Sequence, residues 1–401
     1  MRVAVCWEQT SWGGVDTHLS TLLNNWPNSS DEFFIIYNYD NIGIDRLKSN
    51  YKNSNKIKYY SIKSTWNKIS SLKLVKILKL FLNPIHFLIE IFIAMKVFYS
   101  IGRLDALLVQ NGGYPGSSGN LASIFAAYFL KIKARILIVH HAASGRKPYK
   151  LRLEMFIDYF IVKLCTEIVA VSFATRKSLI IKRDFDTEIT PIRVIYNGIN
   201  TTCTKPFEQY LNFRKKFKIN KDTFIIGTLG RLERYKGQED ILFALALLPK
   251  RIKEKFRLIC VGQTENQEYK RLASIIEKLD LKNKIIFVPY IKAPSETIVK
   301  EFDLLAMCTK DFEAFGLTIG EAMKAKVPVL ATKVGAVKEW VKPDSAILVN
   351  PESPYEIKDI LMRINSKKID LDEIASNGYK LIKNYSGNKM AQNFYDLLKI
   401  Y

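Results

Sequence analysis

Short apolar runs alternate with helix-period stretches along the whole chain, and this alternation limits the fold more than any other feature. The runs Val3–Trp7, Phe33–Tyr39, Ala106–Gln110, Arg135–His140, Ile168–Ser172 and Ile192–Tyr196 read as buried parallel strands. A polar, lysine-rich segment from Thr201 to Asp222 interrupts the pattern. It restarts at Phe224–Leu229, Phe256–Val261, Lys284–Val288, Leu304–Met307, Val327–Ala331 and Ala346–Val349. Strands and helices in alternation build doubly wound sheets, so the expected class is α/β, with two Rossmann-like domains facing each other. A length of 401 residues suits two cores better than one. Ligands of such sheets sit beyond the carboxyl ends of the strands, where Gly13, His140, Gly230, Gly262 and Glu313 all fall.

Hydrophobic residues make up 48% of the chain and aromatic residues 12%, enough to fill two cores and to exclude disorder. The five cysteines lie far apart with no C-x-x-C, which argues for reduced thiols in the cytoplasm. Of four histidines only His140 and His141 are neighbours, so no metal cluster is expected. The start, M-R-V-A-V-C-W-E, reads as a strand rather than a signal peptide. A net charge of +22 asks for a negatively charged partner or surface. The basic residues are scattered, however, and no zinc finger, basic zipper or aromatic-rich RNA signature accompanies them. Nucleic acid is therefore not expected, and part of the lysine excess reads as compositional bias.

The chemistry concentrates in Asp311 to Pro328, D-F-E-A-F-G-L-T-I-G-E-A-M-K-A-K-V-P, where Glu313 stands eight residues before Glu321. Gly316 can bring bare backbone N–H groups close to a ligand, and a helix starting near Thr318 aims its positive end at a phosphate. Carboxylates accept hydrogen bonds from vicinal diols. Two of them flanking an anion site suit a nucleotide sugar. Arg231 and Lys236 lie five residues apart on a turn between a strand and a helix, within reach of one anion. The plainer alternative is a surface pairing with Glu233 or Glu239. Gly13-Gly14 opens a helix whose apolar positions are Val15, Leu19, Leu22 and Leu23, so phosphate or acceptor could approach the backbone there. D-F-D at Asp184–Asp186 and D-L-D at Asp370–Asp372 follow no strand and read as loop or cap acids, so no metal is expected. Ser172 reads as a helix cap and Asn197-Gly198 as a turn.

These motifs, with V-A-V-S at Val169–Ser172, I-Y-N-G-I at Ile195–Ile199, G-R-L-E-R-Y-K-G at Gly230–Gly237, Val261-Gly262 and V-P-V-L-A-T at Val327–Thr332, resemble the retaining GT-B glycosyltransferases of family 4 in order and spacing. The resemblance implies an acceptor-binding domain over 1–203, a nucleotide-sugar domain over 204–384 and a C-terminal helix, 385–401, packing back on the first domain. It implies transfer of a sugar, from UDP-sugar above all, to an acceptor hydroxyl with retention and without a metal. In that scheme Glu313 holds the sugar hydroxyls, Glu321 the ribose, and Arg231 with Lys236 the diphosphate. Gly14, Gly262 and the backbone of Phe315, Gly316 and Leu317 assist donor binding, while Gly13, Gly14 and His140 border the acceptor. His141 is the alternative to His140, and a buried histidine bonded to backbone is the plainer account of either. Departures from the family pattern at Gln263, Lys326, Ala336 and Asn200 put sugar identity in doubt more than activity. A nucleotide-sugar epimerase and a non-catalytic polybasic membrane adaptor are the rival functions.

Trp66 to Ile101 is the most apolar and basic part of the first half, interrupted by lysines, by Glu90 and by Pro84. Lys73, Lys76 and Lys79 recur beside Leu72, Val75, Leu78 and Leu82, a basic strip next to an apolar one. Peripheral docking on the inner face of the plasma membrane, beside a lipid-linked glycan acceptor in polysaccharide assembly, is the expectation. For Pro84–Ile101 a core helix is favoured.

Overall fold

The computed structural model describes residues 1–401 except Ser11, Lys52, Ser54, 64–72 and 201–210, with side chains of 73–83 also outside that description. The chain divides into two units, Met1–Gly198 with Gly387–Tyr401, and Ile199–Ser386. The first expected boundary, after residue 203, lies outside the described residues, and the second, after 384, falls in the structure after Ser386.

In the first unit seven parallel strands are β1 (Arg2–Trp7), β2 (Glu32–Asn38), β3 (Lys56–Ile62), β4 (Ala106–Asn111), β5 (Ala134–Val139), β6 (Glu167–Ala170) and β7 (Ile192–Val194). Their order is β3-β2-β1-β4-β5-β6-β7, with Val5 paired to Ile35 on one side and Leu108 on the other. Sequence reasoning missed β3. As an edge strand with one exposed face it carries Lys56 and Lys58 where inner strands carry valine or isoleucine, so it has no continuous apolar run. The helix Lys73–Ile101 continues through Pro84, which the sequence suggested would divide it. Its last turns give Ile91, Ala94, Phe98 and Ile101 to the core, and this burial holds the helix despite the backbone donor that proline lacks.

The C-terminal helix Gly387–Leu398 belongs to the first unit, burying Met390, Ala391, Phe394 and Leu397. Phe394 reaches the ring of His18 at 5.6 Å and Tyr395 that of Trp26 at 5.7 Å.

The second unit holds β8 (Phe224–Leu229), β9 (Phe256–Val261), β10 (Ile285–Val288), β11 (Leu304–Met307), β12 (Val329–Thr332) and β13 (Ile347–Val349). They are parallel in the order β10-β9-β8-β11-β12-β13. Each sheet therefore reverses its winding once, between β1 and β4 in the first and between β8 and β11 in the second. A crevice opens at such a reversal.

Candidate active site

At the reversal point of the second sheet, the loop after β8 carries Gly230 to Lys236 and the loop after β11 carries Thr309 to Gly316. The adjacency of β8 and β11 brings Lys236 and Glu313 together across 77 residues of sequence, Nζ to Oε2 at 2.8 Å. Thr309 Oγ1 donates to the same carboxylate oxygen at 3.3 Å. Burial works against the Lys236 ammonium, but the Glu313 carboxylate outweighs it and holds its pKa above the ordinary lysine value. Lys236 is thus ionised at neutral pH, and the pair is only partly covered, with side-chain exposures of 25% and 13%. Arg231 is 62% exposed and pairs with Glu233, Nη1 to Oε1 at 2.9 Å, the plainer alternative open from sequence. It stands two residues from that partner in the same loop.

Backbone geometry fixes Glu313. Its carbonyl accepts the Ala336 N–H at 2.8 Å, and a Cβ on Gly335, whose φ is +50°, would lie 2.2 Å from that carbonyl oxygen. Only glycine admits so close an approach. Gly316, with φ +85° and ψ +57°, starts the helix Leu317–Lys324, whose first internal bond is Ile319 N–H to Gly316 C=O. The amides of Leu317 and Thr318 precede that bond and point off the helix start. Phe315 is buried, stacked on Trp340 at 4.9 Å, and its carbonyl accepts the Trp340 indole N–H. Its side chain is a packing anchor. Glu321 shares the half-buried stripe of Leu317, Thr318 and Lys324, while Ile319, Gly320, Ala322 and Met323 face the core. Gly262 has a packing reason for being glycine, because a Cβ there would lie 1.9 Å from the Gly230 carbonyl oxygen.

In the first unit Gly13 and Gly14 are exposed at the start of the helix Gly14–Asn24. The Gly13 N–H is taken by Asp16, whose other oxygen accepts the Trp7 indole N–H at 2.7 Å. His140 follows β5 and is buried, with Nε2 2.7 Å from Gln110 Oε1 and Nδ1 without a partner. His141 is exposed. The ring of His18 meets His140 edge-on at 4.5 Å, and its Nδ1 lies 2.8 Å from Asn197 Oδ1. Burial pushes His18 down to about 4 and His140 well below the ordinary value, so both imidazoles are neutral at pH 7. Sequence reasoning missed His18 and Gln110. The signal for His18 was its place on the core-facing stripe of Val15, Leu19 and Leu22. Ser172 caps its helix by accepting the Thr175 N–H, and Asp370 caps another by accepting that of Glu373.

Residues 210–381, nearly all of the second unit, match the family model of glycosyl transferases group 1. Among curated proteins, an uncharacterised glycosyltransferase of Methanocaldococcus jannaschii, MJ1069, is 28% identical over 95% of this chain and 93% of its own length. A second from that organism, MJ1607, is also 28% identical, but over 54% of this chain and only 56% of its own. Among solved structures, Anabaena Alr3699/HepE in complex with UDP and glucose superposes with a TM-score of 0.74 at 20% identity, over 100% of each chain. The fold is GT-B, with two parallel-sheet Rossmann-like domains, and the second unit carries the similarity to the group 1 glycosyltransferases.

Proposed function

We propose that the chain is a retaining glycosyltransferase that moves a sugar from a nucleotide-diphosphate donor, UDP-sugar above all, to an acceptor hydroxyl. The observation that carries this is the Lys236–Glu313 pair beside the helix start at Gly316. A donor entering there meets Lys236 and Arg231 with its diphosphate, the amides of residues 315–317 with a phosphate oxygen, and Glu313 with its sugar hydroxyls. Glu321, one turn into the helix, takes the ribose. As the glycosidic bond breaks, charge develops on the leaving diphosphate, and preorganised cations and amides stabilise it without a metal. The leaving oxygen takes the acceptor proton on the same face, which gives retention. That HepE holds UDP and glucose in the same fold supports this choice of donor. UDP added to the purified chain should raise its melting temperature, and in Lys236→Ala the shift should vanish. An unchanged shift in the variant would remove Lys236 from the diphosphate site.

The acceptor we propose is a lipid-linked glycan in polysaccharide assembly, reached from an anionic membrane on the cytoplasmic side. The docking lysines Lys73, Lys76 and Lys79 have side chains outside the described residues. Support comes from the rest of that helix, where Ile85, Leu88, Ile89 and Phe92 are exposed at the spacing of one face. The helix Leu151–Leu164 likewise exposes Met155, Phe156 and Tyr159. Contacts of Phe87 with Phe125 at 5.3 Å, and of Phe125 with Phe160 at 6.1 Å, tie both helices into one layer with Ser118–Phe129. Among the described residues of 84–101, 118–133 and 147–164, every exposed charge is basic: Lys96, Lys131, Lys133, Lys147, Arg152 and Lys163. Near an anionic bilayer each contributes about 1 kcal/mol, so a few of them with partial apolar insertion suffice for reversible docking. The chain should sediment with anionic vesicles, leave them in high salt, and lose them in Phe92→Glu/Phe156→Glu. Equal binding to neutral vesicles would contradict this.

A further inference from the structure

The first unit contains a cavity of about 370 Å³ at the carboxyl ends of β1, β2 and β3, a volume in the range of small-ligand sites. Glu8, the residue after β1, stands on one side of it, and Glu90 on the helix Lys73–Ile101 on another. Ser117, Ser118 and Asn120 enter from the start of the helix that follows β4. The site therefore adjoins the reversal between β1 and β4, where an open α/β sheet binds its ligand.

Its inner wall is rich in hydrogen-bond acceptors. Glu8 accepts from the Ser117 hydroxyl, and Glu90 Oε1 accepts from Ser118 Oγ at 3.0 Å and lies 3.5 Å from His86 Nδ1. Glu90 Oε2 is buried and has no partner. Asn120, 1% exposed, spends its amide N–H on the Gln110 carbonyl at 2.9 Å and leaves Oδ1 buried and unpartnered. Among the described residues Lys63 is the one lysine or arginine lining the cavity, and it is exposed at the rim, with its ammonium over the Tyr39 ring at 5.6 Å. The absence of a side chain at Gly119 leaves room for Glu8, since a Cβ there would fall 2.1 Å from Glu8 Oε1.

Burial pushes Glu8 and Glu90 both up to about 7; for Glu8 the charges of Glu90 and Asp40 add to the effect, and for Glu90 the Ser118 hydroxyl opposes it. The wall of the cavity thus holds two carboxyls and acceptor oxygens that the protein leaves without donors, in a setting that repels a second anion. Hydroxyl groups are the donors that fit. We propose that this cavity recognises an uncharged, hydroxyl-rich sugar ring of the acceptor and discriminates against rings bearing phosphate or carboxylate. Assigning the ring to the acceptor rests on the glycosyltransferase reading, whereas recognition of the ring itself does not.

Saturation-transfer NMR on the full chain tests it with methyl glycosides of glucose, galactose, mannose and N-acetylglucosamine, each beside its 6-phosphate or uronate counterpart. At least one uncharged glycoside should bind about tenfold or more tightly than its anionic counterpart, and Glu8→Gln/Glu90→Gln should reduce that preference to within about threefold. Gly119→Ala, which displaces Glu8 without removing a carboxyl, should weaken the same glycoside. Circular dichroism and a retained melting shift with UDP show that the variants fold. Binding of no glycoside, equal or tighter binding of the anionic series, or a preference untouched in the double variant would overturn the proposal. If UDP binds and no glycoside does, the cavity assignment alone fails. If glycosides bind with the stated preference but donor is never consumed, the glycosyltransferase reading fails instead.

Discussion

Lys236→Ala and Glu313→Gln should each lower kcat by on the order of a hundredfold or more, the usual cost of losing one preorganised charge contact to a transition state. The two side chains bond to each other at 2.8 Å, so neither variant removes a single contact. Lys236→Ala leaves the Glu313 carboxylate with Thr309 alone, and Glu313→Gln leaves the Lys236 ammonium without its counter-charge. In the proposed reaction both losses reach the same donor, and the double variant should therefore be much less impaired than the product of the singles predicts. Arg231→Ala should lose less, because its head is mostly exposed and already shared with Glu233. Steady-state kinetics with saturating donor separate these outcomes. Wild-type turnover in Lys236→Ala, or full additivity in the double variant, would contradict a shared role.

Gly335→Ala should be among the most damaging single methyl groups in the second unit's site. Its φ of +50° is unfavourable for alanine, and the new Cβ would sit 2.2 Å from the Glu313 carbonyl oxygen and 2.8 Å from its nitrogen. Left-handed strain and a backbone clash together should cost about 3 kcal/mol of unfolding free energy in denaturant titration. The same displacement moves Glu313, so activity should fall even under conditions where the variant is fully folded. Gly145→Ala is the matched control. Nothing lies within 4 Å of a Cβ there, and stability should stay within about 0.5 kcal/mol of wild type. A Gly335→Ala protein with native stability and turnover would show that the loop is free to adapt.

What could be read from the sequence follows from burial. Inner strands such as Ala106–Asn111 and Phe256–Val261 are largely covered on both faces and leave four-residue apolar traces, A-L-L-V and L-I-C-V, which β3, with lysines on its open face, does not. Turn glycines were visible as letters, but not the atoms that require them: the Gly230 carbonyl over Gly262, or the Glu313 backbone over Gly335. Sequence suggested Lys236 and Glu313 separately, one for diphosphate and one for sugar. Their bond became visible only once the strand order set β8 beside β11. His140 was legible as a strand-end histidine, yet its contact with His18 depends on how the first helix lies over the sheet. A polar residue on an apolar helical stripe was the available sign.

The most direct test of the proposed chemistry is proton NMR of the anomeric signals when the chain is given its donor, a glycan acceptor and excess EDTA. Loss of the α-linked UDP-sugar should require the acceptor, and the first-formed product should carry a new α-glycosidic signal in equal amount. An inverted product would contradict retention, and restoration of lost activity by magnesium or manganese would contradict metal independence. Conversion of the donor to an isomeric nucleotide sugar with no acceptor present would make the chain an epimerase instead.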